Sequence, residues 1–99
     1  MASETDVAHA RFELAEARFD IEPLRAQLLH EAAGAYASFE GRVRDHNDGR
    51  PVLGLRYEAY AALASAEGQR IVEEAVARFA ITGVHCVHRT GDLAIGDLA

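Results

Sequence analysis

Lysine is missing from this chain: all ten of its basic residues are arginine. Any chemistry that needs an amine nucleophile or a Schiff base is left with the N-terminal amine alone. There is one cysteine, Cys86, so an intramolecular disulfide is excluded, which fits a reducing compartment. No window approaches the ~20 apolar residues of a membrane-spanning helix. The first residues, MASETDVAHARFE, lack the basic start and apolar run of a secretory signal, so a cytoplasmic location is expected. Basic charge is scarce as well: the formal net charge is −6, which argues against a general nucleic-acid or membrane binder.

What is present is a globular composition, 49% hydrophobic and 26% charged, over 99 residues, enough for one small domain with a thin core. Residues 1–10 are small and polar and read as a flexible arm ahead of a single domain over 11–99. Phe12 and Leu14 alternate with polar neighbours in a short strand over 11–17. Asp20 is a good N-cap, Pro23 suits a first turn, and Ile21, Leu24 and Leu28 recur at helical spacing. That spacing predicts a helix of about three turns ending before Gly34.

Residues 35–44, AYASFEGRVR, alternate, and so do residues 52–60, VLGLRYEAY. The stretch DHNDGRP between them is dense in turn formers, so a β-hairpin with its tip there is expected. Residues 62–80 read as a helix with an apolar stripe of Ile71, Val72, Ala75, Val76 and Phe79 and a Glu74–Arg78 pair, Gly68 being a mild liability. The run ITGVHCVHR is a strand, and Leu98 and Ala99 follow a Gly-Asp turn as though a further strand had begun. A domain truncated at its C-terminus is therefore expected.

Four candidates for chemistry stand out. A calcium loop starting at Asp45 fails because Gly49 falls where an oxygen ligand is required. On the last strand Cys86 and His88 share one face and His85 the other; this does not make a metal site, and a small buried cysteine with hydrogen-bonded histidines is expected. No metal or cofactor is expected. Glu58 and Tyr60, two apart on one strand face, read as surface polar residues. Arg42 and Arg44 share a strand face above a turn that also carries His46, Asn47 and Arg50. Forked guanidinium donors match phosphate or carboxylate oxygens, while Glu40, Asp45 and Asp48 are near enough to offset part of the charge. On the residues alone an anion site and a solvated hairpin tip both remain open.

The run Phe39-Glu40-Gly41-Arg42-Val43-Arg44-Asp45-His46-Asn47 resembles the F-x-G-x-V-R-x-H-N signature of the MoaE family, the large, catalytic subunit of molybdopterin synthase. The resemblance continues through Leu55-Arg56-Tyr57-Glu58-Ala59-Tyr60, the long helix, Val87-His88-Arg89-Thr90-Gly91-Asp92-Leu93 and Gly96-Asp97. It implies an α+β fold of the α/β hammerhead type, a dimer of large subunits, and a heterotetramer with a small subunit at each end. The small partner is ubiquitin-like and carries a C-terminal glycine thiocarboxylate. Its sulfur goes to cyclic pyranopterin monophosphate, and two transfers build the dithiolene of molybdopterin. Carried onto this sequence, the resemblance puts Arg44 in the substrate pocket with Arg42 beside it, and His46 and Asn47 around it. Phe39 would support the strand that presents Arg44.

Three departures bear on that expectation. Roughly the last third of the family pattern, with the lysines taken to be catalytic, has no counterpart here, measured against ordinary domain lengths. Arg42 stands where relatives often carry lysine, and Ala59 where a histidine is common. The chain by itself is therefore expected to be inactive, and a truncated, non-catalytic relative acting as a binding or assembly module is the alternative. Element order alone, β-α-β-β-α-β, would also suit a ferredoxin-like split-βαβ domain.

Overall fold

The computed structural model describes residues 9–99, and the first eight residues of the expected arm lie outside the described residues. The fold is α+β. Strand β1 (His9–Ala15) is followed by helix α1 (Ile21–Leu28), the short strands β2 (His46–Asn47) and β3 (Arg50–Pro51), and β4 (Leu55–Tyr57). Helix α2 (Ala61–Arg78), β5 (Gly83–Arg89) and β6 (Gly91–Leu93) complete it. Strand pairing is in three separate twos: β1 with β5 in parallel, β2 with β3 and β4 with β6 antiparallel. The single sheet of the split-βαβ alternative is not formed among the described residues.

Both helices start near where the sequence predicts. Asp20 caps α1, its Oδ1 accepting from the Glu22 N–H at 3.0 Å. The helix ends at Leu28, a turn and a half early, because Leu29 turns extended and His30 claims the next backbone groups for a local turn. Its Nδ1 accepts from the Ala32 N–H and its carbonyl from Ala33 N–H. None of α1 is buried.

In α2 the buried line runs through Gly68 and Val72, with Ala75 and Val76 half-covered, while Ile71 and Phe79 at the edges of the expected stripe are exposed. Gly68 is a contact point, not only a liability. A Cβ there would overlap the Phe12 ring, so its absence lets α2 lie against β1. One residue on, the Gln69 amide works like a strand partner for β1. Its Oε1 accepts from Phe12 N–H at 3.0 Å and its Nε2 donates to the Ala10 carbonyl at 2.8 Å.

The long hairpin expected over 35–44 and 52–60 is corrected. Only its tip is a hairpin, β2 and β3; residues 35–41 form no regular element, and β4 takes β6 as its partner. Alternation marks a strand only if a second strand supplies the ladder, and among the described residues 35–41 has none. Phe39 accordingly supports nothing: it is 98% exposed, and Leu53 is 94% exposed. Val43 is buried, pinned by backbone bonds to Gly96 and Asp97, and with Val72 and Leu93 it makes up the buried apolar core of the described residues.

Candidate functional site

The hairpin tip is built by its sequence. Asp48 (φ 52°) and Gly49 (φ 75°) both lie in the left-handed region, as a two-residue I′ turn requires, and Asn47 pairs with Arg50 across it. Arg44 lies three residues before Asn47, at the base of this turn. The Arg44 Nη2 donates to Asn47 Oδ1 at 2.8 Å, which orients the guanidinium and leaves its other donors toward solvent. His46 turns to its neighbour, with Nδ1 2.8 Å from Asp45 Oδ1. All of these side chains are exposed.

Arg42 is elsewhere. It donates to the Gly96 carbonyl at 3.2 Å and to Glu40 Oε1 at 3.2 Å, and residue 42 bridges Leu98. The expected arginine pair above the turn is therefore split: Arg44 and Asn47 come together, His46 stands beside them, and Arg42 lines a different recess. That recess, about 180 Å³, is lined by Arg18, Phe19, Arg42, Arg89, Asp97 and Leu98.

Arg89, Arg18 and Asp97 are the unit that periodicity and charge counting missed. Arg89 is 4% exposed, and its Nε and Nη2 donate to the Glu16 carbonyl at 3.1 and 2.8 Å. Its Nη1 lies 3.5 Å from Asp97 Oδ2, and Arg18 Nη2 lies 3.1 Å from Asp97 Oδ1. The Ala94 N–H donates to the same carboxylate at 2.9 Å. That backbone bond, more than the two guanidiniums, holds the Asp97 carboxyl below its ordinary range, against partial desolvation. The motif blocks around Arg89 and Asp97 were the only sequence signal for this clasp.

A second groove, about 830 Å³, runs between β1 and the end of β4, lined among others by Arg11, Glu16, Arg56, Tyr57 and Thr90. Arg56 there is bound to Glu58 at 3.1 Å and to Asp92 at 3.2 Å, and both acids, with the Glu58 hydrogen bond first, raise its already high basicity. Glu58 is thus an ion-pair partner, and Tyr60 is an exposed helix N-cap. Of the last-strand residues, His88 is hydrogen-bonded as expected, Nδ1 to the Arg89 carbonyl at 2.7 Å, and it meets the Tyr57 ring edge-on. Cys86 is corrected: it is exposed, not buried. Among the described residues no group of three or more His, Cys, Asp or Glu is placed to hold a metal ion, and no helix is long and apolar enough to cross a membrane.

The described residues form an α+β domain with one arginine oriented on a tight hairpin and a separate ion pair between buried Arg89 and half-buried Asp97. The family is settled by comparison: residues 14–99 match the family described as MoaE protein, and the chain belongs to it. It is 42% identical over 79 residues to the molybdopterin synthase catalytic subunit of Pyrococcus abyssi, covering 80% of this chain and 53% of that protein. Its likeness to the protein of that name from Oryza sativa subsp. indica is 40% over 80 residues, covering 81% and 42%. For Halalkalibacterium halodurans it is 36% over 89 residues, covering 90% and 57%. The chain spans about half the length of the curated relatives it matches.

Proposed function

We propose that this chain serves as a molybdopterin synthase large subunit in molybdenum cofactor biosynthesis, with its hairpin holding the anionic end of cyclic pyranopterin monophosphate. The carrying observation is the Arg44–Asn47 bond at 2.8 Å inside the matched signature. A guanidinium already fixed on one nitrogen loses little freedom when its remaining donors engage a phosphate or a developing oxyanion. Arg42, at the neighbouring recess, adds positive field.

In this reading sulfur arrives on the C-terminal thiocarboxylate of a small ubiquitin-like subunit in the cytoplasm. The hammerhead-type arrangement, a dimer of large subunits and a heterotetramer belong to the same proposal. Exposed Phe39, Leu53 and Tyr60 around so small a core support burial against another chain. A lysine role cannot be filled by these 99 residues. That observation favours the second reading, a non-catalytic module that binds partner and substrate without turnover.

The test mixes the chain with thiocarboxylated small subunit and the cyclic phosphate and follows both binding and dithiolene. Binding that is lost in Arg44→Ala supports the substrate role, and unchanged binding in that variant removes it. Dithiolene formed by the 99-residue chain refutes the need for lysine, while binding without turnover supports the module.

A further inference from the structure

Two imidazoles and a carboxylate meet on the β1–β5 pair, away from the hairpin. His9 Nε2 lies 3.1 Å from His85 Nδ1, and His85 Nε2 lies 3.2 Å from Glu13 Oε1. The two rings stack with centroids 5.1 Å apart. The His85 side chain is only 3% exposed, so it has no water to fall back on. Arg11 Nη2 holds the other oxygen of Glu13 at 3.0 Å.

The surrounding elements add few charges. From α1 the group that comes close is apolar: Leu28 Cδ2 approaches Gly83, beside His9. Glu22 and Arg25 of that helix pair with each other. Helix α2 brings Gln69, bound to Glu73, to the Ala10 carbonyl at the strand edge.

We propose that His9, His85 and Glu13 form a proton-counting latch, which holds β1 on β5 with no added proton or one, and opens when a second arrives. Donor counting carries the point. Glu13 as a carboxylate only accepts, so His85 Nε2 carries a hydrogen facing it. In the neutral state His85 Nδ1 is then bare and accepts from His9 Nε2–H. One added proton keeps an N–H···N bond: either His9 is charged and still donates, or His85 becomes an imidazolium between His9 and Glu13. A second added proton puts hydrogens on both facing nitrogens, 3.1 Å apart, and makes both rings cationic with the His85 side chain buried. The contact must then break. Because Arg11, Phe12, Glu13 and Leu14 form one wall of the larger groove, a loosened β1 also changes that groove.

The test is backbone amide exchange on the 99-residue chain, corrected for intrinsic rates and compared between about pH 8 and about pH 5. Protection over residues 9–13 and 83–87 should fall about tenfold or more, while the middle of α2 changes little. His9→Gln supplies an amide donor that does not titrate, and should keep the protection while losing its pH dependence. Nitrogen spectra of the rings should show His85 protonated on Nε2 at the upper pH. Constant protection in the parent chain, the same pH response in His9→Gln, or a His85 protonated on Nδ1 alone would each overturn the latch.

Discussion

Replacing Gly68 by alanine tests the packing of α2 on β1 through the sign of its effect. In an unobstructed helix interior this change should stabilise by about 1 kcal/mol, because alanine loses less backbone freedom. Here the new methyl group would overlap three atoms of the Phe12 ring. The ring cannot easily slide away, since Gln69 ties the backbone at Ala10 and at Phe12 itself to the same helix. Overpacking of this kind costs about 1–3 kcal/mol, and so direct an overlap belongs at the upper end. The expected net loss is about 2 kcal/mol, or roughly 8–16 °C in melting temperature for a domain of this size. Urea and thermal unfolding measure it. In a Phe12→Ala background the same substitution should turn neutral or stabilising, a coupling of about 2 kcal/mol or more in the double-mutant cycle. Stabilisation by Gly68→Ala in the parent chain, or the same loss in both backgrounds, would refute the close approach.

Further expectations concern the clasp. Arg89→Met should cost about 1–3 kcal/mol by urea unfolding, because it removes the buried donors to the Glu16 carbonyl and one guanidinium from Asp97. A loss below about 1 kcal/mol would mean that water replaces those bonds. Asp97 has a lowered folded-state carboxyl, so its contribution is present above the ordinary carboxylate range and disappears as pH falls through the folded value. Stability of the parent chain should therefore drop below about pH 4, and Asp97→Asn should be less stable at neutral pH with a flatter acid limb. An acid limb unchanged in Asp97→Asn would assign the drop to other carboxylates. At the hairpin, Asn47→Ala should weaken binding of the cyclic phosphate less than Arg44→Ala does, since it frees the guanidinium without removing it; calorimetric titration of both variants measures the difference. Equal losses would make Asn47 a direct contact.

Local features were legible. The Asp20 cap, the start of α1, the body of α2, β5 and the Asp-Gly turn all depend on residues within a few positions of one another, and periodicity or turn chemistry reads such distances directly. The ordered motif blocks also pointed to the family on which the comparison agrees. The failures have one physical cause. Alternation over 35–44 describes faces but names no partner, so a strand was expected where no ladder forms and Phe39 was assigned a supporting role it does not have. Arg42 and Arg44 share a face only if their segment is regular. Backbone bonds from Val43 to the 96–97 turn send Arg42 to that turn and leave Arg44 to Asn47.

By itself the sequence determined which segments are helical, where the tight turn lies, which arginine the signature singles out, and that these 99 residues hold no lysine. Tertiary structure alone decided the contacts that join distant segments. It brought Gly68 to Phe12, closed Arg89 and Arg18 on Asp97, and set His9 beside His85 across 76 positions. Such contacts depend on strand register and on how closely a helix can approach a sheet. Shifting β1 by one residue against β5 would reverse every face, while the composition of either strand would stay the same.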